Sequence, residues 1–156
     1  MNKRSMIYWA ERLDDLRENH DGYSTRLALQ LGVIHSVLSS WLRCGKIPLL
    51  ATAVQVSTRA GYTLDHMIGA DRLGVVDFAP HAGEYEHGSW ARGLRRALPN
   101  RTDAKIGAWI HENTLIGERS AEAWFYQMRC PNLATAAEVS AALGVGLDDL
   151  LRCDPC

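Results

Sequence analysis

The stretch "STRLALQLGVIHSVLSSWLRCGKIP" (Ser24–Pro48) holds two short helical patterns with a single glycine between them. The apolar residues at helical spacing are Leu27, Leu31, Leu38, Trp41 and Leu42. Gly32 lies between the second and third of these, where glycine weakens a continuous helix by about 1 kcal/mol. Because glycine adopts positive φ without steric cost, we predict that Gly32 ends one helix and turns the chain sharply into the next.

The composition is that of a globular protein rather than of a membrane or histone-like protein. Of the 156 residues, 47% are hydrophobic and 22% are charged, and the formal net charge is −1. No apolar run approaches the roughly 20 residues of a membrane span, and the charged N-terminal stretch lacks the apolar core of a signal peptide. We therefore expect a cytoplasmic protein whose four cysteines are reduced thiols.

The chain contains an internal repeat. Shifted by 83 residues, "WLRCGKIPLLATAVQVSTRAGYTLD" (41–65) aligns without a gap with "WFYQMRCPNLATAAEVSAALGVGLD" (124–148), and eleven positions are identical. Upstream, "WAERL" matches "WARGL" at a shift of 81. We infer a duplication, with copy one at residues 1–72, an acidic linker at 73–88, copy two at 89–152 and a C-terminal tail at 153–156.

Each copy is predicted to form five short helices. No stretch alternates in the manner of a β-strand, so the expected fold class is all-α. The third helix of copy one is expected at residues 35–43. Ser24 is expected to cap the second helix and Thr63 the fifth, because a side-chain hydroxyl accepts a hydrogen bond from a free N–H in the first turn. Trp41 and Trp124 follow the apolar periodicity, so both are assigned to the core.

The segment "LALQLGVIHSVLSSWLRCGKIP" (27–48) resembles the helix-turn-helix of the lambda repressor-like (Cro/XRE-type) family. The positions that carry the resemblance are Ala28, Gly32, Leu38, Trp41 and Pro48. Copy two resembles the family through the same tail, but His111 and Leu115 stand where copy one has Ala28 and Gly32. The resemblance implies two tandem five-helix lambda repressor-like domains, of which the second has diverged.

The resemblance also implies double-stranded DNA as the partner, with the third helix of copy one in the major groove. The residues expected on the outward face of that helix are His35, Ser36, Ser39, Ser40 and Arg43. Phosphate contacts are implied for Ser24 and Thr25, because free N–H groups at the start of a helix favour an anion. Arg26 and Lys46 are further candidates for phosphate contacts. The alternative for all of these residues is a solvated surface with an ordinary helix cap.

Copy two differs most on its third helix. The exposed positions expected there are Glu118, Arg119, Glu122 and Tyr126. Phosphates would repel the two carboxylates, so we expect this helix to bind a protein partner or a second chain. The candidates for DNA backbone contacts in copy two are Arg92, Arg95, Arg96 and Arg119. Because serines discriminate bases weakly, specificity calls for two DNA-reading helices, from two chains of a homodimer or from the two copies of one chain.

Patterns for catalysis, cofactors and metals are weak. The sequence has no nucleophile elbow, phosphate-binding glycine loop or HExxH motif, so we expect neither enzyme activity nor a cofactor. The linker side chains that could bind a metal are His81, Glu84, Glu86 and His87. A second set consists of Cys153 and Cys156 together with Cys130 and His111. An ordinary acidic linker and an inert flexible tail are the interpretations that we favour for these residues, and we assign no metal site.

Two functions therefore fit the sequence. The first is a sequence-specific DNA-binding transcriptional regulator, a repressor of the phage or mobile-element type on the basis of the resemblance. The second is a protein-interaction module similar to phage inhibitors or antitoxins, in which copy two binds a protein and copy one regulates its own promoter. The feature that separates them is charge, since the third helix is neutral or basic in copy one and mixed in copy two.

Overall fold

A computed structural model describes residues 3–20, 22–70 and 85–152, and every regular element in these ranges is a helix. The helices of copy one are α1 (Lys3–Glu18), α2 (Ser24–Leu31), α3 (His35–Arg43), α4 (Leu50–Ala60) and α5 (Leu64–Met67). Those of copy two are α6 (Ser89–Ala97), α7 (Asp103–Asn113), α8 (Glu118–Tyr126), α9 (Leu133–Leu143) and α10 (Leu147–Leu151). The expected all-α class is confirmed for the described residues. None of these helices combines the length and apolar character that crossing a membrane requires.

The helices repeat with the same offset as the sequence. α3 and α8 begin and end at positions 83 residues apart, and so do α4 and α9. α7 departs from this offset, because it begins one helical turn before the position that corresponds to Ser24. Thr102 favours the earlier start, since its Oγ1 accepts a hydrogen bond from the backbone N–H of Lys105 at 3.3 Å. The second helix has therefore changed between the copies, and so has the first, since α1 has 16 residues and α6 has nine.

The turn after α2 forms as predicted. Gly32 ends the helix in the left-handed conformation, with φ at +70°. Its N–H donates to the carbonyl of Leu29 at 3.3 Å, and the N–H of Val33 donates to the carbonyl of Ala28 at 3.0 Å. Two carbonyls at the end of α2 are thereby satisfied. Ala28 is 3% exposed, so its small side chain lies within the core beneath the turn.

Replacement of Gly32 should show how much of the stability depends on this turn. We expect Gly32→Ala to lower the free energy of unfolding by about 1–2 kcal/mol, because left-handed backbone is costly for a residue with a Cβ atom. Gly32→Asn adds a Cβ atom at the same place but tolerates positive φ better, so we expect it to cost less. Urea denaturation of the two variants measures the difference. Equal losses would contradict a requirement for left-handed backbone.

The core of each copy contains two tryptophans in edge-to-face contact. The ring centroids of Trp9 and Trp41 are 5.8 Å apart with an interplanar angle of 67°. Those of Trp90 and Trp124 are 5.6 Å apart at 82°. All four side chains are at most 5% exposed, which confirms the core assignment of Trp41 and Trp124. Such a pair contributes about 0.5–1.5 kcal/mol beyond the area that it buries.

The two predicted helix caps have different outcomes. The Oγ1 of Thr63 accepts a hydrogen bond from the N–H of His66 at 3.1 Å, which confirms that Thr63 caps α5. The prediction for Ser24 is wrong, because Ser24 is the first helical residue and Tyr23 is the N-cap, without a side-chain hydrogen bond. The N–H of Tyr23 donates to the carbonyl of His20 at 3.1 Å in the preceding turn. Because of this turn, the extended residue that precedes α2 is Tyr23 and not Ser24.

The two copies meet at a pair of equivalent backbone positions. Leu49 and Asn132, which are 83 residues apart, form an isolated antiparallel bridge. The N–H of Leu50 donates to the carbonyl of Pro131, and the N–H of Leu133 donates to the carbonyl of Pro48, each at 2.9 Å. Around it, α1 and α4 pack against α9. The two reciprocal bonds relate residues 48–50 to residues 131–133 by a local pseudo-two-fold axis, whereas among the described helices the packing of α1 against α9 has no counterpart of equal extent between α6 and α4.

A second pair of equivalent residues, Asp65 and Asp148, also links the copies, and each is 1% exposed. The Asp148 carboxylate accepts hydrogen bonds from the N–H groups of Leu64 at 3.1 Å and Asp65 at 2.7 Å. The Asp65 carboxylate accepts from those of Leu147 at 2.8 Å and Asp148 at 3.1 Å. Each aspartate therefore caps the last helix of the other copy. Burial, followed by the hydrogen bond and charge of Asp148, raises the pKa of Asp65 to about 7.

Candidate nucleic-acid interface

One side of α3 is held in the core of copy one, and the opposite side faces solvent. Leu38 and Trp41 anchor the helix, with 0% and 5% of each residue exposed. His35, Ser36 and Arg43 are exposed on the other side. These three residues therefore lie on the outward face that the sequence predicts, and their side chains have room to contact a partner.

Two of the predicted outward residues have less access to solvent. Ser39 and Ser40 are half-buried, so they are less exposed than predicted. They lie on the flanks of the helix, beside the buried positions Leu38 and Trp41. The Oγ–H of Ser40 also donates to the carbonyl of Val37 at 2.6 Å, which uses its proton within the helix. The outward face is thus narrower than predicted.

Two apolar side chains on this face were not predicted from the sequence. Ile34 is 71% exposed at the N-cap of α3, and Val37 is 37% exposed one turn further along. Apolar side chains in the major groove contact the methyl group of thymine. Helical spacing could not have identified these side chains as exposed, because Ile34 and Val37 lie four residues before Leu38 and Trp41, at the spacing expected of core positions.

The start of α2 is open to an anion. Tyr23 occupies the N-cap but supplies no side-chain hydrogen bond, and the first turn holds no acidic residue. Thr25 and Arg26 are exposed and Ser24 is half-buried. The Arg26 guanidinium lies over the Tyr23 ring, 5.2 Å from its centroid, which keeps a positive charge beside the helix start. Backbone N–H groups and a nearby cation suit a phosphate.

Charge distinguishes the two copies clearly over the segment that includes α2, α3 and α4. Residues 24–59 contain no acidic residue, and their basic residues are Arg26, Arg43, Lys46 and Arg59. The equivalent residues 107–142 contain two basic residues, Arg119 and Arg129. Their acidic residues are Glu112, Glu118, Glu122 and Glu138. The segment that forms α2, α3 and α4 is therefore positively charged, and the equivalent segment of copy two is negatively charged.

Arg59 is a further cation that the sequence analysis did not select. It is exposed in the last turn of α4, and its guanidinium lies within 3 Å of the position that a Cβ atom at Gly32 would occupy. Gln55, one turn earlier, donates from Nε2 to the carbonyl of Gly32 at 3.4 Å. The turn between α2 and α3 thus has a positive charge beside it. Lys46 is exposed just beyond α3.

Copy two builds the corresponding turn differently. Leu115 stands at the position of Gly32, and its N–H donates to the Oε1 of Glu138 at 2.9 Å. Glu138 is the equivalent of Gln55, so a carboxylate replaces an amide at this turn. Thr114 at the C-cap of α7 is extended, with φ at −137°, instead of left-handed. The side chain of Leu115 is left 86% exposed.

The outward face of α8 is acidic and aromatic. Glu118 and Arg119 are exposed, Glu122 is half-buried, and Tyr126 is 82% exposed. The first three replace His35, Ser36 and Ser39 at the 83-residue offset, and Tyr126 replaces Arg43. This face carries two carboxylates and one guanidinium, and it offers a large exposed ring.

The arginines of α6 have partners within copy two. Arg95 forms a bidentate pair with Asp103, at 2.9 and 3.0 Å, and this hydrogen bonding lowers the pKa of the Asp103 carboxyl. Arg92 donates to the carbonyl of His87 at 3.2 Å and pairs with Glu86 at 3.3 Å. Arg96 donates to the carbonyl of Leu150 at 2.9 Å. Contact between these three and a DNA backbone would compete with these interactions.

Within the part of the chain that the structure describes, the candidate metal ligands do not form a cluster. His111 Nδ1 hydrogen bonds with the carbonyl of Ile116 at 3.0 Å, and the Cys130 sulfur accepts from the N–H of Ala51 at 3.3 Å. Glu86 and His87 lie in the turn before α6. The other candidates, His81, Glu84, Cys153 and Cys156, lie outside the described residues. Within the described ranges, no three histidine, cysteine or acidic side chains form a group that could hold a metal ion.

Comparison with protein-family models, curated proteins and solved structures finds no significant match.

Proposed function

We propose that this protein is a sequence-specific DNA-binding transcriptional regulator that represses by occupying its operator with α3. The proposal depends on one observation. The outward face of α3 is exposed and anchored from behind, and it lies in a segment, residues 24–59, that has four cations and no acidic residue. The major groove of B-DNA admits an α-helix presented in this way.

In this proposal the two sets of five helices are tandem lambda repressor-like domains, and the first keeps the DNA-reading surface. His35 and Ser36 in the first turn of α3 contact base edges, and Val37 packs against a thymine methyl. Arg43 reaches a guanine edge or a phosphate. A repressor of the phage or mobile-element type remains the specific form that the family resemblance suggests.

Phosphate contacts fix the position of α3 in the groove. The N–H groups at the start of α2 receive one phosphate, with Ser24 and Thr25 beside it. The cations that flank this site are Arg26, Lys46 and Arg59. All of them belong to copy one, so the backbone contacts and the base contacts come from the same half of the chain.

The test begins with selection of bound sites from a random pool of duplex DNA by the full chain. The variant His35→Ala/Ser36→Ala/Arg43→Ala should then bind the selected site at least 100-fold more weakly, because each good base contact is worth about 1–3 kcal/mol. Fluorescence anisotropy at physiological salt measures the affinity. The three side chains are exposed, so circular dichroism should show an unchanged helical signal.

A matched control changes the equivalent positions of copy two. Glu118→Ala/Arg119→Ala/Tyr126→Ala removes three exposed side chains from α8, and we expect its affinity for the selected site to stay within about threefold of that of the wild type. Failure to recover any site, or equal affinity of the wild type and the α3 variant, would overturn the proposal.

A protein partner for copy two is the second candidate function. It is favoured by the exposed ring of Tyr126 and by Leu115, which is 86% exposed in the neighbouring turn. Large exposed apolar side chains often mark protein interfaces. Cross-linking in the cell, with the full chain and with Leu115→Ala/Tyr126→Ala, tests this function. A partner that is captured by the wild type, lost in this variant and kept in the α3 variant would support it.

A further inference from the structure

We propose that a single chain of this protein binds DNA without a second copy and reads an asymmetric site through α3 alone. This inference rests on the proposed function and specifies the class of DNA site that the protein recognises.

The first argument is that the chain closes its own two-fold interface. In a symmetric dimer the same surface patch occurs on both subunits, and each residue of the patch contacts its counterpart in the other subunit. Here both patches belong to one chain. The bridge between Leu49 and Asn132 joins equivalent positions in both directions, and Asp65 and Asp148 do the same.

The second argument is that this interface is fully used. The four N–H groups that the aspartates cap all have acceptors at 2.7–3.1 Å. Leu50 and Leu133, which follow the bridge, are each 0% exposed. A second chain approaching along the pseudo-two-fold axis would find these groups already paired, so dimer formation would need a different surface.

The third argument is that the two outward helices are not equivalent in charge. At the 83-residue offset, Glu118 replaces His35, Glu122 replaces Ser39 and Tyr126 replaces Arg43. Glu118 is exposed, and its carboxylate would lie near phosphates if α8 entered a groove. Of the two outward helices, α3 therefore presents a face that attracts DNA and α8 a face that repels it.

The fourth argument concerns the helix that precedes each outward helix. The first turn of α2 holds no acidic residue and no side-chain cap. In α7, Thr102 already caps the first turn, and Asp103 is paired with Arg95 at 2.9 Å. A phosphate at the start of α7 would meet a carboxylate, so copy two lacks the anchoring contact as well as the reading face.

These differences determine the symmetry of the DNA site. A dimer with two identical recognition helices binds an inverted repeat, because the symmetry of the site mirrors that of the protein. A pseudo-dimer with one recognition helix makes no base contacts in a second half-site. We therefore expect one continuous motif without an inverted repeat, occupied by one chain, in place of the two DNA-reading helices that the sequence suggested.

The experiment uses the full chain and the pool of selected sites. Native mass spectrometry should give one chain per duplex, and the selected motif should contain no inverted repeat. We would also test duplexes that carry two inverted copies of the motif at spacings near about 10 base pairs. The affinity of such a duplex for the first chain should lie within about twofold of the affinity of a duplex with one copy.

A variant that restores copy-one residues tests the role of α8. Glu118→His/Glu122→Ser/Tyr126→Arg should bind one of the inverted-repeat duplexes about 10-fold more tightly than the single-motif duplex, which corresponds to one added contact of about 1.4 kcal/mol. If this variant does not keep the helical signal of the wild type, the stoichiometry and motif symmetry of the wild type decide the question.

The outcomes separate this inference from the proposed function. A palindromic motif occupied by two wild-type chains would overturn the inference and leave the proposed function standing. A gain of less than twofold in a folded variant would overturn the role given to the α8 side chains. If no motif were recovered, both would fall.

Discussion

Gly93→Ala should lower the free energy of unfolding by about 3 kcal/mol, the largest effect that we expect from any single methyl group in this protein. Gly93 lies in α6 where this helix crosses α10. A Cβ atom there would stand 2.0 Å from the carbonyl oxygen of Leu150 and 2.8 Å from its carbonyl carbon. Because both are backbone atoms, no side-chain rotation relieves the overlap, and the two helices have to move apart.

Gly107→Ala provides the matched control. Gly107 is also a buried glycine inside a helix of copy two, but its Cβ atom would meet Glu122 Cγ at 3.5 Å, an ordinary van der Waals distance. Alanine favours a helix by up to about 1 kcal/mol relative to glycine, so this variant should gain stability. Urea denaturation measures both variants. If Gly93→Ala were as stable as the wild type, α6 and α10 would not be in close contact in solution.

The wild-type chain should lose stability between about pH 5 and about pH 8 because of Asp65. Its pKa is raised from 3.8 to about 7 in the folded chain, so the folded state holds a proton that the unfolded state has released over most of this range. The stabilising contribution is complete below the unfolded pKa and is lost as the pH rises through the folded pKa. The expected loss is on the order of 2–3 kcal/mol by the linkage relation. Above about pH 7 two carboxylates face each other between the copies.

Two variants isolate this contribution. Asp65→Asn removes the titrating group, so its free energy of unfolding should change much less than that of the wild type between the two pH values. Asp149→Asn changes the residue next to Asp148, which takes no part in the reciprocal bonds, and should leave the wild-type pH dependence intact. The same pH dependence in Asp65→Asn as in the wild type would show that another group is responsible.

Local features of the fold could be predicted where one residue type has one physical role. The turn at Gly32 follows from the tolerance of glycine for positive φ, and the cap at Thr63 from the hydroxyl before an apolar run. Trp41 and Trp124 follow from helical spacing. The wrong prediction for Ser24 has a related cause. A cap depends on where the preceding turn ends, and the turn from His20 to Tyr23 has no distinctive sequence.

The contact between the copies could not be predicted from the sequence. Asp65 and Asp148 are identical residues of the repeat, but identity at equivalent positions does not indicate that the two side chains meet. Their proximity depends on how ten helices pack, which no local pattern specifies. An aspartate at the second position of a short helix also reads as an ordinary surface residue, because most aspartates are exposed.

The candidate interface was predictable in outline and not in detail. Helical periodicity was enough to place His35, Ser36 and Arg43 outward. It did not resolve the flanks of α3, where a shift of a few tens of degrees separates an exposed serine from a half-buried one. Arg59 was missed because it is distant in sequence from α3 and approaches the Gly32 turn only through packing of α4.

The backbone bridge between Leu49 and Asn132 has an evolutionary consequence. In a homodimer every amino-acid substitution occurs twice, once in each subunit, so neither partner can specialise. Here the halves are encoded separately within one gene, and selection can act on each alone. The halves also remain in one molecule at any dilution. If the proposed function holds, occupancy of the DNA site at low protein concentration should grow in direct proportion to the number of molecules, without a threshold for assembly.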